Sequence, residues 1–125
     1  MEYLYKDLTG FLIQCAMKVH KALRPGLLES AYEECLNYEL ATAGLTTVRQ
    51  KPMPLVYNDV RFDIGYRIDL MVNESIIIEI KSVDALSPIH MAQIMTYLKL
   101  SACHIGLLIN FITALLRDGI KRVIL

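Results

Sequence analysis

The stretch GYRIDLMVNESIIIEIK, residues 65–81, is the part of the sequence that decides the fold. Two apolar segments flank the short polar turn Asn73-Glu74-Ser75, and this pattern predicts a β-hairpin. A three-residue connection sets three apolar pairs opposite one another: Val72 with Ile76, Leu70 with Ile78, and Ile68 with Ile80. One face of the hairpin then becomes a continuous apolar surface that can be buried.

The same register places three charged side chains on the other face of the hairpin. Asp69 lies directly opposite Glu79, and Lys81 points the same way because it follows Glu79 by two residues. A two-residue turn would set Ile68 against Glu79 and mix the faces, and a buried unpaired carboxylate is costly. Two carboxylates beside an ammonium at a strand end form a candidate cation site.

A simpler interpretation of these charges is a cross-strand salt bridge on a solvated sheet face. The segment around Glu79, residues 76–80, is however apolar apart from that glutamate. Continuous apolar segments are typical of strands that are covered on both sides. We therefore favour a functional role for the three charges.

Length and composition indicate one folded domain. The chain has 125 residues, of which 54% are hydrophobic, and we predict a single domain over residues 1–125. Thirteen basic residues balance thirteen acidic ones, which argues against a protein that coats nucleic acid by bulk charge but permits a local basic groove. Cys15, Cys35 and Cys103 lack metal-site spacing and lie in apolar patterns, so we expect buried free thiols.

No stretch of the sequence predicts insertion into a membrane. The longest uncharged apolar segment, residues 105–116, is too short to cross a bilayer. The first residues include acids and no basic leader, so no signal peptide is predicted. We expect a soluble, cytoplasmic protein that does not bind membranes.

Hydrophobic periodicity and turn residues predict the remaining elements. The predicted helices cover residues 3–22, 27–43 and 88–102, and short strands cover residues 46–50, 53–57, 60–64, 104–109 and 121–125. Pro52 and Pro54 favour a sheet edge for the early strands. The third helix and the strand after it form a crossover onto the sheet. Residues 111–116 fit a strand or a helix equally well.

The first predicted helix carries a basic cluster near its end, formed by Lys18, His20, Lys21 and Arg24. Such clusters are commonly solvated and interact favourably with the helix dipole. The alternative is contact with a phosphate group. Under that alternative, Lys18, His20 and Lys21 are candidates for substrate binding.

Glu29 lies at the border of the buried stripe of the second helix, three residues before Tyr32 and seven before Leu36. An acid next to a core needs a partner, which a metal, an ordered water or a lysine would provide. The ordinary alternative is a stabilising charge in the first turn of the helix.

His90, Gln93 and Tyr97 form a hydrogen-bonding stripe on the third helix, because they follow one another at spacings of three and four residues. The stripe lies beside the apolar face of that helix. It is either a solvated edge or the wall of a site, and spacing alone does not choose between them.

Several of these segments together resemble a known family. GLLESAY, residues 26–32, matches the signature of the GxxExxY protein family, and Asp69 followed by Glu79-Ile80-Lys81 is similar to the D…ExK motif of the PD-(D/E)XK nuclease superfamily. His20, QIMTYL (residues 93–98) and LLINF (residues 107–111) occur in the order of that family. The chain has Ile68 where the superfamily name implies proline, and Arg24 near a position where relatives would have a small residue.

The resemblance implies an α/β fold with a restriction-endonuclease-like αβββαβ core, in which helices flank a mixed central sheet. It implies a metal-dependent phosphodiesterase in which Asp69, Glu79 and the Ile80 carbonyl bind Mg²⁺ or Mn²⁺. Lys81 would orient or help to deprotonate the attacking water and offset charge on the phosphate. Glu29 matches the acid of the first core helix, as a water-mediated ligand or a ligand of a second metal.

The remaining predicted site residues surround this centre. Gln93 and Tyr97 would position the water or the nucleic-acid backbone, while Lys18, His20, Lys21 and His90 are predicted to bind substrate. The leading hypothesis is a nuclease that acts on DNA, with a homodimer as one arrangement that would cut both strands. The alternatives are a catalytically silent module that binds nucleic acid or a protein partner, and a purely structural salt-bridged hairpin.

Overall fold

The computed structural model describes residues 6–125, which form three α-helices and seven strands. The helices are α1 (Lys6–Leu23), α2 (Glu29–Thr42) and α3 (Pro88–Ser101). The strands are β1 (Thr47–Pro52), β2 (Leu55–Tyr57), β3 (Val60–Phe62), β4 (Arg67–Val72), β5 (Ile76–Lys81), β6 (Ile105–Asn110) and β7 (Ile120–Ile124). The predicted first helix is confirmed from Lys6 onward, and its residues 3–5 lie outside the described residues. Within the described residues, none of the helices has the length and apolar character needed to cross a bilayer.

Five strands form one mixed sheet in the order β1-β4-β5-β6-β7. β5 and β6 are parallel and are connected through α3, whereas the other neighbouring strands of this sheet are antiparallel. The pairs Val72–Ile76 and Leu70–Ile78 confirm the predicted hairpin register. Together, α2, β1, β4, β5, α3 and β6 form the αβββαβ core in chain order, so the predicted fold class is confirmed.

Helices cover both faces of the central strand, because its side chains alternate between two buried clusters. Ile78 belongs to a cluster packed under α1 and α2 with Tyr32 and Leu36. Ile77 belongs to a second cluster packed under α3 with Ile94. This arrangement confirms that β5 is covered on both sides, and it explains why a charge on this strand needs specific partners.

Ile68 is the exception to the predicted alternation. The sequence pattern placed it on the same face as Leu70, but it packs in the cluster under α3, while Leu70 packs under α1 and α2. The prediction is wrong at this residue because the sheet is distorted next to it. Leu70 pairs with Arg49 of β1 and with Ile78 of β5, whereas the pairing of β4 with both neighbours leaves out Asp69. Gln50 on β1 has a left-handed φ of 51°.

β2 and β3 form a separate two-stranded sheet that is largely exposed. The two strands are joined through Asn58 and Asp59, which both have positive φ, as the tight turns that match strand twist require. They are shorter than the predicted segments, and residues 111–116 adopt neither a strand nor an α-helix. Instead, a 3-10 helix, Leu116–Gly119, precedes β7. Cys15 and Cys103 are buried free thiols, as expected. Cys35 is a free thiol but only half-buried, because it lines a cleft between α1 and α2.

We predict that Gly119→Ala destabilises the protein. A Cβ atom at this position would lie 2.5 Å from the Asn110 carbonyl oxygen, which belongs to the backbone at the end of β6 and cannot rotate away. We expect the free energy of unfolding, measured by urea denaturation, to fall by about 1–3 kcal/mol.

Gly10→Ala is the matched control for this substitution. Gly10 lies within α1, and a Cβ there would meet nothing within 4 Å. Alanine is favoured over glycine inside a helix by roughly 0.5–1 kcal/mol, so this variant should gain stability. Equal stability of Gly119→Ala and wild type would contradict the close approach at Asn110.

Candidate functional site

Asp69 and Glu79 are interlocked across the β4–β5 hairpin through backbone amides. The Asp69 N–H donates to Glu79 Oε2 at 2.8 Å, and the Ile80 N–H donates to Asp69 Oδ2 at 2.8 Å. The regular pairing of the two strands includes Leu70–Ile78 and stops there. Each carboxylate thus takes the place of a carbonyl of the opposite strand, and the two acids are held together where the strands separate.

Burial raises the pKa of both acids. Glu79 is only 3% exposed. Burial, and then the charge of Asp69, raise the Glu79 pKa from 4.5 to about 8, while the hydrogen bond from Asp69 and the charge of Lys81 oppose this shift. Burial also raises the pKa of Asp69, against the hydrogen bond from Ile80. The pair therefore has a strong tendency to bind a positive charge, which can be a proton.

Lys81 begins a chain of polar contacts to α3. Its Nζ donates to Gln93 Oε1 at 3.4 Å, and Gln93 Nε2 donates to the Tyr97 hydroxyl at 3.3 Å. Burial, and then the charge of Glu79, raise the pKa of Tyr97, so its hydroxyl remains protonated at neutral pH. Lys81, Gln93 and Tyr97 are thus brought together, as the predicted site requires.

The predicted stripe on α3 lines a cleft of about 380 Å³ that also contains Tyr66. The Tyr66 and Tyr97 rings meet edge to face with centroids 6.3 Å apart. His90 lies in the same cleft, and its Nδ1 accepts a hydrogen bond from the Ser87 N–H at the start of the helix. His90 therefore also caps α3, a role that the stripe pattern did not predict.

Glu29 reaches the same end of β5 as the acidic pair. Its Oε2 accepts a hydrogen bond from the Ser82 N–H at 2.9 Å, one residue beyond Lys81. The loop before Glu29 is fixed by Tyr32, whose hydroxyl donates to the Arg24 carbonyl at 2.6 Å and accepts from the Leu27 N–H. Gly26 has a positive φ of 116°, a conformation that glycine adopts readily, and this allows the turn before Glu29. The glycine, glutamate and tyrosine of the GLLESAY segment thus act together to hold α2 against the strand end.

The sequence analysis missed Glu33, Arg49 and Gln50. Glu33 is 6% exposed, and its Oε2 accepts from Arg49 Nε at 3.1 Å and Nη2 at 3.0 Å. Gln50 Nε2 donates to Glu33 Oε1 at 2.6 Å and to Asp69 Oδ1 at 3.3 Å, so it links α2 to the acidic pair. Glu33 could have been found, because it follows Glu29 by one helical turn. Gln50 could not, because its left-handed backbone directs the side chain.

Three predicted substrate-binding residues lie elsewhere on the molecule. Lys18 pairs with Glu39 on α2. His20 is buried, and its Nε2 donates to the Thr113 carbonyl oxygen at 2.8 Å. Lys21 lines a cleft that also contains Arg117. Among residues 6–125, no hydrogen bond or ion pair joins these three to Asp69 or Glu79. Their role in binding substrate stays a prediction.

The residues at the strand end fit a partly hydrated divalent cation. Among residues 6–125, no three His, Cys, Asp or Glu side chains come close enough to enclose a metal. Asp69 and Glu79 offer carboxylate oxygens, and no hydrogen bond within the same residues reaches Glu79 Oε1. Mg²⁺ commonly binds through one or two carboxylates and keeps several waters, so the donor set suits such an ion and does not form a closed cage.

The Ile80 carbonyl is the third predicted ligand. Amide and carbonyl groups of one strand residue point to the same side, and successive residues point to opposite sides. The Lys81 carbonyl accepts from the Phe111 N–H beyond β6, so the Ile80 groups face β4, where the Ile80 N–H donates to Asp69. The Ile80 carbonyl therefore faces the side of β5 on which the acidic pair lies.

Comparison with known proteins identifies the family of the chain. A family model of the PD-(D/E)XK nuclease superfamily matches residues 6–123. No curated protein and no solved structure matches the chain. Because the family model covers nearly all of the sequence, including α2, the hairpin and α3, the chain belongs to the PD-(D/E)XK nuclease superfamily.

Proposed function

We propose that the protein is a metal-dependent nuclease that hydrolyses phosphodiester bonds in DNA, with Mg²⁺ or Mn²⁺ as its cofactor. The observation that carries this proposal is the interlocked pair of Asp69 and Glu79, with Lys81 two residues further along the same strand. Membership of a nuclease superfamily supports hydrolysis of nucleic acid. Among the members of this site, Glu79 is the most deeply buried acid and has the strongest need for a compensating charge.

In this proposal, Asp69, Glu79 and the Ile80 carbonyl would hold the cation, and Glu29 would contribute through water. When bound, the ion would supply an acidified water and offset charge on the phosphate. The two backbone hydrogen bonds keep Asp69 and Glu79 in a fixed orientation before any ligand arrives. Such preorganisation avoids reorganisation during the reaction.

Lys81, Gln93 and Tyr97 act on the water and the phosphate. Gln93 holds the Lys81 ammonium through its Oε1 and contacts the Tyr97 hydroxyl through its Nε2. In this position, the Lys81 ammonium orients the attacking water and offsets the negative charge that develops on the phosphate. His90, which lines the adjacent cleft, contacts the substrate backbone.

Four further assignments belong to the same proposal. The chain is one nuclease domain, it belongs to the GxxExxY branch of the superfamily, and it acts in the cytoplasm. Homodimer formation also stays a prediction. Exposed apolar side chains on β2 and β3, including Val56, Tyr57 and Val60, are of the kind found at contacts between subunits.

We predict that the purified protein cleaves DNA in the presence of Mg²⁺ or Mn²⁺ and loses this activity when the acidic pair or the lysine is changed. Glu79→Gln and Lys81→Ala should each lower the cleavage rate by about 100-fold or more, because each removes a group that acts in the transition state. Glu74→Gln, in the exposed turn of the same hairpin, is the control and should cleave like wild type. Undiminished cleavage by both site variants would show that the activity comes from a contaminant.

One observation favours the second candidate, a catalytically silent module that binds nucleic acid or a protein partner. Among residues 6–125, the acids do not form a group of three around a common point. The nuclease must bind a divalent cation, whereas the silent module need not.

Calorimetric titration with Mn²⁺ separates these two candidates. We expect binding to wild type that is lost in Asp69→Asn, because this change removes one anionic ligand but keeps the side-chain shape. Glu39→Gln on the far side of α2 should retain full binding. Failure of the wild-type protein to bind Mn²⁺ would overturn the nuclease and leave the silent module.

We also predict a pH dependence of stability in the metal-free protein. Folded Glu79 keeps its proton up to about pH 8, whereas the unfolded chain loses it near the ordinary value of 4.5. Between these values the unfolded state binds fewer protons, so the free energy of unfolding falls as the pH rises, by at most about 1.4 kcal/mol per pH unit. Urea denaturation in a chelator should show this slope in wild type.

Glu79→Gln should reduce the slope, since its amide does not titrate, and Glu74→Gln should preserve it. A metal that replaces the proton should stabilise the wild-type protein more at pH 8 than at pH 6. An unchanged slope in Glu79→Gln would contradict the assignment of the titration to this residue.

A further inference from the structure

A basic cleft of about 470 Å³ lies between the end of α1 and the segment that leads into β7. Three cationic side chains line it: Lys21, Arg24 and Arg117. His20 completes the wall, and no Asp or Glu lines the cleft. A chain with equal numbers of acidic and basic residues thus concentrates positive charge at one place.

The three cations of this cleft have no anionic partner among residues 6–125. Salt bridges in this part of the chain occupy other basic residues, including Lys18, Arg49 and Arg67. Cations that face a common cleft repel one another, and this repulsion is relieved when an anion binds between them. The charge pattern of the cleft therefore suits a phosphate group.

The backbone around the cleft is held in place by buried groups. His20 donates from Nε2 to the Thr113 carbonyl at 2.8 Å, which ties the loop after β6 to α1. Tyr32 stacks on Phe111 with ring centroids 4.4 Å apart, and its hydroxyl fixes the Arg24 carbonyl. Arg117 follows Leu116, which is buried in the core. The cations thus extend from a fixed backbone, so only their side chains have to be ordered on binding.

The cleft lies at the same end of the strands as the acidic pair. The Phe111 N–H donates to the Lys81 carbonyl at 2.9 Å, and Thr113 follows two residues later. Across these strand ends, the acidic pair between β4 and β5 comes first, followed by Lys81, and then by the loop after β6 and the cleft. The cleft and the acidic pair can therefore contact one nucleic-acid strand at different phosphates.

We propose that Lys21, Arg24 and Arg117 form a second binding site for the DNA backbone, which holds a phosphate other than the one at the bond that is cleaved. This inference rests on the proposed nuclease function, and it adds Arg24 and Arg117 to the substrate-binding residues. It assigns Lys18 no part in the cleft, since that lysine is paired with Glu39. The contacts are to phosphate and carry no sequence information.

The test measures how DNA binding depends on salt. Binding of a short fluorescein-labelled DNA duplex is followed by anisotropy in Ca²⁺, over a series of salt concentrations, for Lys21→Gln, Arg117→Gln and the double variant. Each phosphate contact contributes about 0.9 to the slope of log K against log salt. We expect each single change to lower the slope by about one and the double change by about two.

Lys99→Gln is the matched control, because Lys99 is an exposed lysine near the C-terminal end of α3. It should bind DNA with the wild-type slope, and thermal melts should show that all variants are folded. Unchanged slopes in the Lys21 and Arg117 variants would overturn the proposal, as would the absence of DNA binding by the wild-type protein. Calorimetric binding of inorganic phosphate without any change in the DNA slopes would assign the cleft to a free anion instead, and would also overturn it.

Cleavage by the wild-type protein, measured separately with Mg²⁺, keeps the two proposals distinct. If the slopes fall but no cleavage occurs, the cleft binds DNA and the nuclease proposal fails. If cleavage occurs and the slopes are unchanged, the nuclease proposal stands and the cleft proposal fails.

Discussion

The interaction on which the site depends is the exchange of hydrogen bonds between two buried carboxylates and the backbone of opposite strands. Asp69 accepts from the Ile80 N–H, and Glu79 accepts from the Asp69 N–H, so neither amide is left unpaired where the ladder ends. The cost of this arrangement is electrostatic, because the acids repel each other away from water. The raised pKa of Glu79 expresses that cost, and a divalent cation or a proton would remove it.

Two of the helices, α2 and α3, hold the groups that surround this pair. α2 supplies Glu33, which anchors Gln50 against Asp69, and it also supplies Glu29 at the end of β5. α3 supplies Gln93, which holds the Lys81 ammonium. The helices that cover the two faces of the sheet thus also carry polar groups of the site at the ends of its strands. Packing of the core and positioning of the site are achieved by the same helices.

Much of the fold followed from local patterns, because they reflect contacts within short segments. The hairpin register could be predicted since a slip of one residue would set apolar side chains against the acids and mix the two faces. The crossover from β5 through α3 to β6 followed from the order of elements. The alternation rule failed at Ile68, because it assumes a regular strand, and β4 departs from regular pairing at Asp69.

The sequence by itself determined the pair of acids, the lysine and the side of the hairpin they occupy, because strand alternation and a short turn control these positions locally. Only the tertiary structure decided the role of Gln50, whose φ of 51° is set by its neighbours and not by its residue type. The same holds for Arg117, which meets Lys21 and Arg24 in one cleft although more than ninety residues separate them along the chain. Local patterns carry no information on such encounters, because they depend on how α1 packs against the loop after β6.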